Sequence, residues 1–326
     1  MDNKKLTLSY SALKTFKTCP MKYYWRYLKN IEPVEKAEAL LLGSEVHNYL
    51  ESFYRNEPYS SISGNSLSSR SSAILEGIID NYQFIYSDDF NRFEIVKVEK
   101  VVYGPIINPK SRRSSRIFSF NGRIDMLIRL KYDMESINAG SLVVVESKTS
   151  SVANHNIWNQ LIIEDQAILY AKYIENETGE KVKGILFNVI QKPSIKQKKS
   201  ETENEFFERL RITMANNDLY KRKLIKIDKK RYDDALNNLW QLQRQIRSAR
   251  KDDIFIKNRN SCFNYFRKCD FYDLCSAEDP EIVIQGSGLF KKRSWDQKHL
   301  KKDLPGYKGS ATVRRVFKNL SNHGGL

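Results

Sequence analysis

The segment SLVVVESKTS ends an apolar run, Leu142 to Val145, with Glu146 and Lys148 two residues apart. In a strand, a period of two puts both side chains on one face. An acid and an amine at the exit of a buried strand are costly to desolvate unless they pair or one of them meets a metal. An edge salt bridge is the simpler of those readings. Upstream, FNGRIDMLIRL sets Asp125 among Ile124, Leu127 and Ile128. The turn-rich connection between the two segments permits antiparallel pairing, which would bring Asp125 and Glu146 together. Two converging carboxylates repel each other, and a divalent cation that prefers hard oxygen ligands relieves the repulsion. The competing reading pairs Asp125 with Arg123 or Arg129.

His47 lies beside a helical face made by Val46, Tyr49, Leu50 and Phe53, and it could add an imidazole to such a site. A single helical histidine is commonly structural. His47, His155, His299 and His323 form no i, i+4 pair, which disfavours a histidine-based zinc protease. Gln166 and Tyr170 share a helix face and could hold a phosphate or steady the lysine. The four cysteines are Cys19 and a late triplet, Cys262, Cys269 and Cys275, within CFNYFRKCDFYDLC. One thiol plus three, with no C-x2-C pair, suits an iron-sulfur cluster better than zinc. Zinc and unliganded buried thiols remain open on spacing alone. Phe263, Tyr265, Phe266, Phe271 and Tyr272 would shield such a cluster from water.

The elements that must carry these residues follow from periodicity. Residues 8–28 read as two short helices interrupted at Pro20, and a longer amphipathic helix starts from Gly43. The Ser-rich stretch 60–72 reads as a mobile surface loop before a helix over 72–86. Three strands are predicted over 93–103, 116–130 and 142–148, then one long helix over 158–177 ended by Gly179. A fourth strand spans 182–191, and Asp228 caps a helix running to Arg250. A strand, a crossover helix and a return strand predict an α/β fold with a mixed central sheet and a parallel pair.

The chain has 326 residues, 40% hydrophobic and 12% aromatic, which is enough for a real core. No apolar run approaches the roughly 18 residues of a membrane span, and the start of the chain does not read as a secretory signal. The expected location is the cytoplasm. Lys and Arg total 55 against 39 Asp and Glu, a net charge of +16 that favours polyanionic partners, nucleic acid first. No Gly-rich phosphate loop of the GxxxxGK[ST] kind occurs, so any motor would be a separate chain.

Taken in order, YSALKTFKTCPMKYYWRYL, GSEVH, GRID, VVVESK, DQAILY and the cysteine triplet resemble the PD-(D/E)XK nuclease superfamily. The likeness is to its RecB-like exonuclease branch with an iron-sulfur cluster, which includes CRISPR-associated RecB-like exonucleases and the AddB nuclease domain. It covers roughly residues 8–276. The resemblance implies a restriction-endonuclease-like core over 43–200, flanked by helices. A helical cap would form from residues 1–42 and 201–276, with a basic, loosely ordered tail over 277–326. It implies Mg2+ or Mn2+ on His47, Asp125, Glu146 and the Ser147 carbonyl, with Asp125, Glu146, Lys148, Gln166 and Tyr170 catalytic. It also implies a 4Fe-4S cluster on Cys19, Cys262, Cys269 and Cys275, with Cys262 the least regular in spacing.

The implied function is metal-dependent DNA exonuclease action on ends or single strands in recombination or repair. The partner besides DNA would be a helicase, an annealing protein or an adaptation protein, and the setting a bacterial or virus-infected bacterial cell. The alternative is a non-catalytic nucleic-acid-binding or recombination-scaffold subunit with the same fold.

Overall fold

The computed structural model describes residues 5–62, 66–151, 155–264 and 267–293, with the side chain of His155 outside the description. His299 and His323, the tail from residue 294, and Tyr265 and Phe266 also lie outside the described residues. In chain order the elements begin with β1 (Leu6–Ser9), α1 (Tyr10–Thr18), α2 (Pro20–Tyr23), a π-helical turn (Tyr24–Leu28) and β2 (Ile31–Pro33). There follow α3 (Glu38–Arg55), α4 (Ser69–Ile85), α5 (Asp89–Arg92), β3 (Phe93–Ile107), β4 (Ser114–Leu130) and β5 (Leu142–Ser150). Then come α6 (His155–Ile163), α7 (Asp165–Thr178), β6 (Val182–Gln191), α8 (Glu203–Thr213) and β7 (Tyr220–Lys226). The chain continues with α9 (Lys229–Asp252), β8 (Phe263–Asn264), β9 (Arg267–Lys268), α10 (Tyr272–Ser276), α11 (Pro280–Gly286) and β10 (Phe290–Lys292). Among the described residues no helix is long and apolar enough to cross a membrane.

The chain divides into two compact units: Lys36–Val102 with Arg123–Ala235, and Met1–Glu35 with Tyr103–Gly122 and Leu236–Leu326. In the first, β4 runs antiparallel to β5, with Met126 opposite Val145 and Ile128 opposite Val143. β5 runs parallel to β6, with Glu146 opposite Phe187, and β6 runs antiparallel to the edge strand β7. This is the mixed α/β sheet with a parallel pair that the element order predicts. Its central strand reads as a fully apolar run because helices cover it: Val143 and Val145 share one core with Leu42, Val46, Tyr49 and Leu50 of α3 and Ile74 and Ile78 of α4. In the second unit, β1 pairs in parallel with residues 118–121 of β4, and β10 pairs with β2. Trp25, Ile31, Phe271, Leu274 and Phe290 form its own core cluster.

Several sequence expectations are corrected. The single helix over 158–177 is two, α6 and α7, separated at Glu164, whose backbone is extended (φ −76°, ψ 130°). α3 starts at Glu38, ahead of Gly43. The loop over 60–72 is shorter than expected: α4 begins at Ser69, capped by the Ser68 hydroxyl, and the loop's first turn is pinned to α3. There Tyr59 Oη and Ser61 Oγ donate to the buried Glu45 carboxylate at 2.7 and 2.8 Å. The tail is ordered through residue 293, because Phe290 is buried in the core cluster and β10 joins β2.

Candidate active site

The site gathers at the β4–β5 pairing. Apolar Ile124 and Met126 anchor β4 in the interior and leave Asp125 between them at the end of the β4–β5 register. The Ser147 backbone N–H donates to Asp125 Oδ2 at 2.6 Å, which fixes that carboxylate against β5. α3, seated by Val46, Tyr49 and Leu50, presents His47, whose Nδ1 lies 3.3 Å from Asp125 Oδ1. Neither Arg123 nor Arg129 is the partner of Asp125. Arg123 Nε holds Glu99 Oε2 at 2.7 Å, and Arg129 binds Glu180 and Glu94.

Glu146 is 2% exposed, and Lys148 Nζ donates to its Oε1 at 2.5 Å. Strand period two thus produces the acid–amine pair that the sequence shows. The other oxygen, Glu146 Oε2, is buried and has no hydrogen-bond partner. A buried carboxylate oxygen without a donor is expensive, and a cation is the simplest species that satisfies it. On α7, Gln166 Nε2 donates to Tyr170 Oη at 3.4 Å, and an Arg123 backbone group is a further partner of that phenol. Burial and the nearby Glu146 carboxylate push the Tyr170 phenol well up.

The protonation pattern follows from these contacts. The Asp125 carboxylate raises His47 to about 9 against the opposing cost of burial. Burial alone would raise Asp125, but the His47 imidazolium, its hydrogen bond and Lys148 bring it below the ordinary carboxylate value. Burial, then the Asp125 charge, lifts Glu146 to about 7 despite Lys148. Burial disfavours a charged Lys148, yet Glu146 and Asp125 carry its pKa above the usual lysine value. His47, Glu146 and Lys148 thus hold protons more tightly than free side chains do, beside the Asp125 carboxylate.

Glu99 is the member of the site that the sequence did not disclose. It is 8% exposed, burial lifts it to about 7, and one ligand atom each from His47, Glu99 and Asp125 lies within 4.8 Å of the others. It lies in a β3 segment whose sequence resembles any exposed–buried strand, and no spacing links it to Asp125.

A buried network backs the site. Arg222 of β7 forms two hydrogen bonds with Asp89, at 2.6 and 2.8 Å, and donates to Tyr54 Oη, Tyr82 Oη and Asn188 Oδ1. Its guanidinium stacks 3.5 Å from the Tyr86 ring centroid. Asn188 Nδ2 in turn donates to Tyr82 Oη at 2.9 Å and to Ser147 Oγ at 3.3 Å.

The profile of the PD-(D/E)XK nuclease superfamily matches residues 7–276. The chain belongs to that superfamily. Membership makes it a nuclease by lineage, with nucleic acid as the substrate class and a divalent metal as the cofactor class, and the mixed sheet is the superfamily's restriction-endonuclease-like core. Among curated proteins none matches this superfamily member. Among solved structures it is similar to an exonuclease candidate from Eubacterium rectale, with TM-score 0.47 and 15% identity over 77% of this chain and 84% of that one. It is also similar to SSO0001, with TM-score 0.29 and 14% identity over 73% and 84% of the two chains.

In the second unit of this nuclease-superfamily chain, Cys19, Cys262, Cys269 and Cys275 all line one cavity of about 320 Å³, together with Lys22, Lys257 and Phe271. Cys19 is buried and the triplet half-buried. Burial raises the thiols of Cys269 and Cys275. Phe271 is fully buried beneath the cavity, while Phe263 is 59% exposed and stacks edge-on with Tyr272 at 5.1 Å. Phe263 therefore shields less than its sequence position implies.

Proposed function

We propose that the chain is a metal-dependent deoxyribonuclease that trims DNA from ends or single strands during recombination or repair. The single observation behind this reading is that His47 pairs with Asp125 within electrostatic reach of the Lys148-bound Glu146, one of whose carboxylate oxygens is buried without a donor. His47, Asp125, Glu146 and the Ser147 carbonyl would hold Mg2+ or Mn2+. Hard carboxylate and carbonyl oxygens with one imidazole suit either ion. Bound there, the ion supplies Lewis acidity at the phosphate and lowers the pKa of water.

The chain's own residues do the rest. Ser147 N–H holds Asp125 in one orientation, so that carboxylate needs no rearrangement during turnover. Lys148, kept protonated beside Glu146, orients the attacking water or neutralises charge that builds on the phosphate oxygens. Gln166 and Tyr170 steady the phosphate or the lysine. The net charge of +16 draws the polyanion to the protein by releasing counterions.

A 4Fe-4S cluster on Cys19, Cys262, Cys269 and Cys275 is part of the proposal. Its support is one cavity lined by all four thiols.

End-labelled single- and double-stranded DNA and RNA, incubated with the purified chain with and without Mn2+, test the activity. The expected outcome is Mn2+-dependent loss of label from DNA, and a roughly 100-fold or larger fall in turnover for Lys148→Ala, Asp125→Ala and Glu146→Ala. Cleavage unaltered in all three variants would overturn the assignment. Tight DNA binding without cleavage by the wild-type chain, with or without Mn2+, would favour the non-catalytic scaffold instead.

A further inference from the structure

The sheet face that carries the acid–amine pair continues past β5 to the edge strand β7. Residues paired across adjacent strands point to the same side of a sheet. Glu146 lies opposite Phe187 of β6, which lies opposite Lys223 of β7. Lys148 lies opposite Val189, which lies opposite Lys221. Two rows therefore run from the acid–amine pair to two lysines, each two strand spacings, roughly 10 Å, from its counterpart on β5. Phe187 and Val189 are buried, so β6 puts no competing charge into either row. β7 also enters the sheet at the end where β5 and β6 leave it, since Tyr220 lies opposite Ile190. In open α/β sheets ligands bind beyond the carboxyl ends of the parallel strands.

Lys221 and Lys223 are exposed, and among the described residues neither has a carboxylate partner. Lys148, Lys172 and Arg222 of the same unit are each matched to an acid. Lys196 and Lys199 add exposed positive charge in the segment that leaves β6 at the same end. That segment is fixed through its backbone, because Arg70 donates to the carbonyls of Pro193 and Ile195 and Arg209 donates to that of Lys196. Lysines on an edge strand also block pairing with a second sheet, a role that a charge of either sign fulfils. It gives no reason for both to stand in register with the acid–amine pair. Unmatched lysines in a chain already at +16 add self-repulsion, and a polyanion laid across them relieves it.

We propose that Lys221 and Lys223 seat the phosphate backbone of the DNA strand being cut, a short way along from the bond that the Glu146–Lys148 centre breaks. This rests on the nuclease reading above and adds to it the course of the substrate, from β5 outward to β7. Successive phosphates of one duplex strand are about 3.4 Å apart, so roughly 10 Å corresponds to a contact about three nucleotides from the bond cut. Backbone contacts fix position and carry no base sequence, so the effect is the same on any sequence.

Binding of fluorescent single-stranded DNA to the full-length chain, followed by anisotropy in EDTA as salt is raised, tests the inference. Lys221→Gln with Lys223→Gln is expected to raise Kd roughly 10-fold near 0.1 M salt and to flatten the slope of log K against log salt by about 1.4, the value for two phosphate contacts. Lys221→Glu with Lys223→Glu should bind more weakly still. Lys183→Gln with Lys226→Gln takes the same charge from exposed positions at the other end of β6 and β7, and should change Kd by less than about 2-fold. In Mn2+, a neutral methylphosphonate about three nucleotides from the bond cut should raise KM for wild type and add nothing further in the Lys221→Gln, Lys223→Gln variant. An equal rise in both, a glutamate pair that binds as tightly as wild type, equal losses in the two glutamine pairs, or a wild type without DNA affinity would each overturn the proposal. A wild type that cleaves, with Lys221→Gln and Lys223→Gln matching it in Kd and KM, would overturn the β7 contact and leave the nuclease reading standing. The expected lysine dependence in a wild type that does not cleave would sink the nuclease reading and leave β7 as a DNA-binding edge.

Discussion

His47, Glu99 and Glu146 all hold protons more tightly in the folded chain than free side chains do, and the sign of that effect sets a pH dependence. His47 rises from 6.5 to about 9, so its pairing with Asp125 stabilises fully below about pH 6.5 and fades as pH climbs through about 9. Glu99 and Glu146 rise from 4.5 to about 7, so the fold favours their neutral forms and loses that preference as pH rises through about 7. The three run the same way. The melting temperature of the metal-free chain should therefore fall from about pH 4.5 to about 9, through Glu99 and Glu146 up to about pH 7 and through His47 above about pH 6.5, measured by scanning calorimetry, and saturating Mn2+ should offset most of the fall. Asp125→Asn removes the partner of His47 and should flatten the slope. A melting temperature that holds level or rises across that window in wild type would contradict the electrostatic account. At this scale Asp125, Glu146 and Lys148 were legible in the sequence, because strand period and charge cost alone single them out. Glu99 was not, because nothing in its spacing or its neighbours sets it apart from the other charged residues of β3.

Between elements, α4 and α8 meet at Gly77, where an added Cβ would stand 2.6 Å from Arg211 O and 2.7 Å from Met214 Cβ. No flexible side-chain tip is available to yield at the closest contact. Gly77→Ala should therefore destabilise the chain by about 1–3 kcal/mol, read from urea unfolding. A change below about 0.5 kcal/mol would mean that α8 packs elsewhere. α8 itself starts at a capping box, with Thr202 and Glu205 hydrogen-bonded reciprocally. Four strands were readable from their apolar composition, over 93–103, 116–130, 142–148 and 182–191, and the structure extends the first three to 93–107, 114–130 and 142–150. β7 was not, because Lys221 and Lys223 alternate with Tyr220, Arg222 and Leu224, and edge strands commonly carry such lysines against unwanted pairing. The break between α6 and α7 also escaped. The apolar pattern continues from Leu161 through Ala167 and Ile168 across Glu164, and neither glycine nor proline marks the interruption.

On the scale of the whole chain, residues far apart in sequence share the cysteine-lined cavity, since Cys19 and Cys275 bracket nearly all of the described residues. Cross-linking ends that distant through a shared cluster removes much of the unfolded chain's freedom, because closure entropy grows with the length of the loop. Protein purified without oxygen is expected to be brown. Serine at Cys19, Cys269 or Cys275 should remove the colour and lower the melting temperature together. A colourless, zinc-loaded preparation made under the same anaerobic conditions would count against the cluster. The four thiols could be grouped from their one-plus-three distribution. Phe271 was grouped with them as a shielding aromatic, whereas Trp25 and Phe290, which seat the same unit, could not be, because they come from separated segments with no common period.

The arginine of the outermost strand in the larger unit, Arg222, reaches Ser147 in two steps, through Asn188 and then the Ser147 side chain. A sheet margin is ordinarily the first part of a fold to breathe. Any opening of that edge would reach the Ser147 peptide that holds Asp125, so the proposed centre leans on the rim of the sheet as well as on its own residues.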